Sequence, residues 1–165
     1  MKTKILILAA MSFTMVSFAQ KSELKTAEKA VKSGDMAAAK TALDGISGMI
    51  SGADEKYQTQ YHFLRGQAMA ELGKNGDNEA FKEAAESYNK VVSMEEQSGK
   101  TKYSGETKQR IQALTADLVN SAVEDNGNKS FDIAAEKLYM AYKISPLDTS
   151  YLYYAASSAV NGQHY

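Results

Sequence analysis

The chain has 165 residues, a hydrophobic fraction of 44%, a charged fraction of 24% and a formal net charge of −1. This is the balance of one globular domain, and it excludes intrinsic disorder and the basic surface that nucleic acid or an anionic membrane would require. One proline and no cysteine or tryptophan, beside abundant Ala, Lys, Glu and Leu, favour helix throughout and remove disulfides, cysteine-based metal sites and a lipid-modified cysteine.

Residues 1–19 have the pattern of a signal peptide. Lys2 and Lys4 give a positive start, Ile5 to Phe18 an apolar run, and Ser17-Phe18-Ala19 small residues ahead of a cleavage point before Gln20. The run is shorter than the roughly 20 residues that span a bilayer, and Ser12, Thr14 and Ser17 dilute it. The expected mature chain is therefore exported, periplasmic or secreted, with no membrane insertion after cleavage. It is also slightly more acidic, because the leader carries lysines and no acids.

The remainder, residues 20–165, reads as antiparallel helix hairpins. Leu24, Ala27, Ala30 and Val31 form the apolar face of a first helix, Ser33-Gly34-Asp35 turns the chain, and Asp35 caps the next helix. That helix carries the stripe Met36-Ala39-Leu43-Ile46, so hairpin one covers about 22–49, followed by a loop from Ile50 to Asp54. Hairpin two, about 54–94, begins with Tyr57, Tyr61, Leu64, Ala68 and Leu72 on one face. Gly73 is expected to close that helix and Lys74 to Asn78 to turn the chain, before the stripe Phe81-Ala84-Tyr88-Val91. Glu95 to Ser104 reads as a solvated connection.

Hairpin three, about 105–145, opens with Ile111, Leu114, Leu118 and Ala122 and turns at Asn126-Gly127-Asn128. It closes with the stripe Phe131-Ala134-Leu138-Ala141, stopped by Ser145-Pro146 because proline cannot continue a helix. A further first helix follows from Thr149 to Val160, with Leu152, Ala155, Ala156 and Ala159 expected inward. It forms an incomplete fourth unit at 149–165. Without a second helix its face is left open, so the sequence leads us to expect either self-association through this C-terminal helix or a longer repeat protein of which this is the front part.

Chemical signatures are weak. Gly99-Lys100-Thr101 resembles the end of a phosphate-binding loop, but Met94 stands where its first glycine belongs. His62 and His164 are the only imidazoles, too few for a zinc site without cysteine, and His62 is expected to be a packed, satisfied histidine. The pairs Glu95/Glu96 and Glu83/Glu86 are expected on solvated faces, and Tyr57, Tyr61, Tyr88, Tyr139, Tyr142 and Tyr154 in the core, with Tyr151 and Tyr165 as exceptions. Asn128-Lys129-Ser130 fits the glycosylation pattern, which is discounted behind a leader of bacterial type. No catalytic, cofactor-binding or metal residue is expected, and the chain is not expected to be an enzyme.

The stretch Phe131-Asp132-Ile133-Ala134-Ala135-Glu136-Lys137-Leu138, with Ala141 and Pro146, resembles the second helix and closing proline of a tetratricopeptide repeat (TPR). Ala27 with Gly34, Gly66 with Gly73 and Ala155 with Gly162 are similar to that family's small first-helix residue and its turn glycine. The aromatic expected early in the first helix is replaced by Glu23 and His62, and the units are longer than the ~34 residues of the ideal repeat. The resemblance implies an all-α fold, an α-α superhelix or solenoid of TPR-like hairpins, whose concave groove holds a protein or peptide partner. Carried over by position, the groove is lined by Gln60, Phe63, Gln67 and Ala70, and in hairpin three by Asp117 and Asn120. The implied function is a non-enzymatic protein–protein interaction scaffold of the bacterial cell envelope. The alternative is the docking segment of a longer exported enzyme or envelope machine whose active part lies beyond Tyr165. A third reading is a closed helical bundle without a groove.

Overall fold

The computed structural model describes residues 20–162; the leader and its cleavage point, like His164 and Tyr165, lie outside the described residues. What is described is all-α, with no strand among the described residues. Helix α1 covers residues 20–33, followed by α2 Met36–Asp44, a 3-10 turn at Ile50–Gly52, α3 Glu55–Lys74, α4 Asn78–Ser98, α5 Ser104–Gly127, α6 Phe131–Ile144 and α7 Ser150–Gly162. Among the described residues, no helix is long and apolar enough to cross a membrane.

Local chemistry sets most of these boundaries. Gly34 takes φ +82° between α1 and α2, a conformation that a Cβ disfavours, and the Asp35 carboxylate then accepts from the Ala38 N–H at 2.9 Å. The same device recurs before α4, where Gly76 takes φ +101° and Asp77 accepts from the Ala80 N–H at 3.1 Å. Gly73 does not close α3 as expected. It lies inside the helix, where a Cβ would collide with the Phe81 ring, and Gly66 one heptad earlier stands likewise against Tyr88. Both glycines admit an aromatic of α4 onto the α3 backbone, which brings the two axes close. The turn after α5 also differs from expectation: the helix runs through Gly127, and Lys129, not a glycine, takes the left-handed position at φ 62°.

Successive helices pack on one another in layers. Leu24, Leu43, Ile46, Tyr61 and Leu64 fill the space between α1, α2 and α3. Met69, Phe81, Tyr88, Leu114, Leu118 and Ala141 join α3, α4, α5 and α6. Ala122, Ala134, Leu138 and Ala155 join α5, α6 and α7. Polar ties reinforce the layers: Arg65 on α3 reaches both Asp44 of α2 and Glu83 of α4 at 2.7 Å, and Lys137 on α6, 6% exposed, donates to Asp125 at 2.6 Å and Ser121 at 2.7 Å on α5.

Two groups of expectations need correction at the far end. Tyr139 and Tyr154 are not in the core but 49% and 53% exposed, since each falls on the side of its helix that no neighbour covers. On α7 the inward residues are Ala155 and Ser158, while Leu152 and Ala156 face out. Gly162, the last described residue, seats against Phe131 and Asp132 of α6.

Candidate functional site: a cavity along the first helices

Helices α1, α3 and α5 are the first members of successive hairpins, and together they line a cavity of about 210 Å³. From α3 come Gln60, Phe63, Leu64 and Gln67; spacings of three and four put them along one face. Glu28, Val31 and Lys32 enter from α1, and Tyr103 and Glu106 from the start of α5.

The wall on the α5 side depends on a buried carboxylate. Glu95 was expected on a solvated connection, yet it is 3% exposed. The helix α4 runs on to Ser98, Gly99 closes it at φ 69°, and the chain folds back so that Glu95 accepts three backbone hydrogen bonds. Tyr103 N–H donates to both of its oxygens, at 2.9 and 3.0 Å, and Ser104 N–H donates at 2.7 Å. The charge also sits at the N-terminus of α5, where the helix dipole favours it. Lys100 in the same turn pairs with Glu55 at 3.1 Å.

This clasp lays the Tyr103 ring on Phe63, with centroids 4.6 Å apart and planes inclined by 30°. The Arg110 guanidinium lies 5.8 Å from the Phe63 centroid and pairs with Glu106 at 2.7 Å. Lys102 sits 4.6 Å from the Tyr103 ring, and its hydrogen bond to that tyrosine holds the amine above its ordinary pKa. At the other rim Gln60 Nε2 donates to Glu28 at 3.4 Å, and Glu28 pairs with Lys32 at 2.6 Å. The charges around the cavity are thus internally paired, and its interior presents two amides and an apolar, partly aromatic surface.

Of the residues expected to line a groove, Gln60, Phe63 and Gln67 come together here. Phe63 is only 7% exposed, since one ring face is occupied by Tyr103. Ala70 packs in the core instead, among Phe81 and Leu114. Asp117 pairs with Lys74 at 3.1 Å, and Asn120 is exposed on α5 outside the cavity. Tyr103, Glu28 and Glu106 were missed. The available signal for Tyr103 was a lone aromatic in an otherwise polar connection.

The opposite side of the molecule carries two other hollows. One, about 330 Å³, lies between α4 and α6 beside Tyr139 and Met140. The other is an open cleft of about 720 Å³ over α3, between α4 and the segment after α2 that holds Ser47, Ile50 and Ser51. Its wall includes His62, which is not the satisfied histidine expected, because its Nδ1 is buried without a hydrogen-bond partner. Burial, then the positive charges of Lys90 and Arg65, push the His62 pKa down to about 4, so the ring is neutral near pH 7. Among the described residues, no group of three or more His, Asp or Glu side chains gathers as metal ligands.

Comparison with protein-family models, with curated proteins and with solved structures gave no match.

Proposed function

We propose that the chain is a non-enzymatic scaffold of TPR-like hairpins, stacked as an α-α superhelix, that holds a segment of a partner protein along its first helices. The observation that supports this reading best is the cavity into which α1, α3 and α5 all contribute, while α2, α4 and α6 contribute nothing. Alternating helices that share one lined surface are the geometry of a groove. Its contents suit an extended peptide: Gln60 and Gln67 offer amides to a peptide backbone, and Val31, Leu64, Phe63 and Tyr103 offer an apolar seat. An apolar cavity of ~150 Å³ holds benzene, so about 210 Å³ suits one side chain of leucine or phenylalanine size. In this reading, for which the leader pattern of residues 1–19 is the support, the scaffold works in the bacterial cell envelope or outside the cell; self-association through α7 is a separate proposal, taken up below.

The test is a two-dimensional NMR titration with N-acetyl-leucine methylamide and N-acetyl-phenylalanine methylamide, with the alanine and glutamate analogues as comparators. Shifts confined to the amides of Gln60, Gln67 and the Tyr103 region, several-fold larger for the leucine or phenylalanine probe, are expected. They should fall at least threefold in the Gln60→Ala, Tyr103→Ala double variant. Equal shifts for all four probes, or the same shifts in the variant, would remove the groove assignment.

A further inference from the structure

We propose that α7 is the self-association face of the protein, pairing antiparallel with α7 of a second copy about a two-fold axis between Ala156 and Ser157. This goes beyond the groove reading and does not depend on it.

The helix reads Ser-Tyr-Leu-Tyr-Tyr-Ala-Ala-Ser-Ser-Ala-Val-Asn-Gly and contains no Asp, Glu, Lys or Arg. Every other described helix carries both signs of charge, as a solvated face ordinarily does. Only Ala155 and Ser158 are buried, against α6, so most of the helix circumference is open. The open side is not polar: Tyr153 is 71% exposed, Val160 61%, Tyr154 53% and Leu152 41%. Leu147, in the turn just before, is 101% exposed.

The outward stripe points to what covers it. Tyr153, Ala156, Ser157 and Val160 fall on the side opposite Ala155 and Ser158, at spacings of three, one and three. That pattern is its own complement when reversed. In an antiparallel pair Tyr153 lies over the partner's Val160, and Ala156 over the partner's Ser157, each contact occurring twice by symmetry. Small residues at the centre let the axes approach, and the large residues fill the two ends.

The absence of charge points to the occupant, and the area sets how strong the pair can be. A face without charge is matched best by another face without charge, and among the described helices α7 alone offers one. Two copies bring no like charges together. Taking ~200 Å² for a fully exposed tyrosine and less for valine and leucine, the four large side chains contribute roughly 400 Å² per copy and about 800 Å² in all, below the standard size of stable complexes and in the range of weak, transient ones. The dimer is therefore weak and concentration-dependent.

Sedimentation equilibrium from about 5 to about 500 µM tests this, on the full chain and on a chain starting at Gln20, which separates association through residues 1–19. A monomer–dimer equilibrium in both is expected. Tyr153→Glu and Val160→Lys, each at an exposed position that leaves the helical signal unchanged, should weaken the homodimer at least tenfold. Mixing the two variants should restore dimer, because antiparallel pairing sets the new glutamate against the new lysine. Monomer throughout, a dimer indifferent to both substitutions, or two weakened variants that fail to rescue each other would overturn the proposal.

Discussion

His62 shows how a single imperfectly housed side chain gives the molecule a pH dependence. Its pKa is about 4 in the folded chain, below the ordinary 6.5, with burial the leading cause and Lys90 of α4 and Arg65 of α3 adding to it. Glu83 and Glu86 line the same cleft from α4, and Arg65 already engages Glu83. As pH falls below 6.5 the unfolded chain takes up a proton that the folded one refuses until about 4, so stability is lost across that window and is complete above it. Screening at this half-buried position reduces the effect to roughly 1–2 kcal/mol between pH 7 and pH 4.5. Urea midpoints of the parent chain and of His62→Gln measure it: the parent should lose stability relative to the variant as the pH falls from 7 to 4.5. A difference that stays constant from pH 7 to 4.5 would show that His62 is not the cause.

At the scale of elements, the α3–α4 contact is set by two glycines that serve as notches. Gly66→Ala puts a methyl group into the fully buried Tyr88 ring and is expected to destabilise the fold by about 2–3 kcal/mol through overpacking. Gly48→Ala, with nothing within 4 Å of its added Cβ, should change it by less than about 0.5 kcal/mol. Thermal denaturation of the two variants makes the comparison, and similar melting temperatures would contradict the notch.

Gly73 marks the boundary between what could be read from the sequence and what could not. The stripe Phe131-Ala134-Leu138-Ala141 placed α6, and Gly34 and Asp35 placed the first turn, because periodicity and capping act within a few residues. Gly73 was misread because a glycine needed for its backbone freedom and one needed for its missing side chain look alike until the neighbouring helix is known. Glu95 was misread for a related reason: a carboxylate in a polar stretch is ordinarily hydrated, and only the returning chain supplies the three N–H donors that bury it. Within the cavity, the α3 residues followed from helical spacing, whereas Tyr103 depends on that long-range clasp.

For the whole molecule, layered packing without one central core implies uneven stability. Helices α3 to α6 share the largest apolar cluster, while α7 buries only Ala155 and Ser158. Opening should therefore begin at the α7 end and reach α3 and α4 last. Hydrogen exchange read by mass spectrometry at concentrations where the chain is monomeric should find α3 and α4 amides at least tenfold slower than those of α7; uniform protection would mean that the layers unfold as one block.

The Glu95 clasp has a thermodynamic consequence for any visitor to the first-helix cavity. Rotation of the Tyr103 side chain is already restricted by folding, through bonds to its own backbone and contact with Phe63. An incoming segment thus meets a finished aromatic panel, and the entropy lost on docking is chiefly its own. Affinity along this surface should respond to stiffening the guest far more than to further bracing of the host.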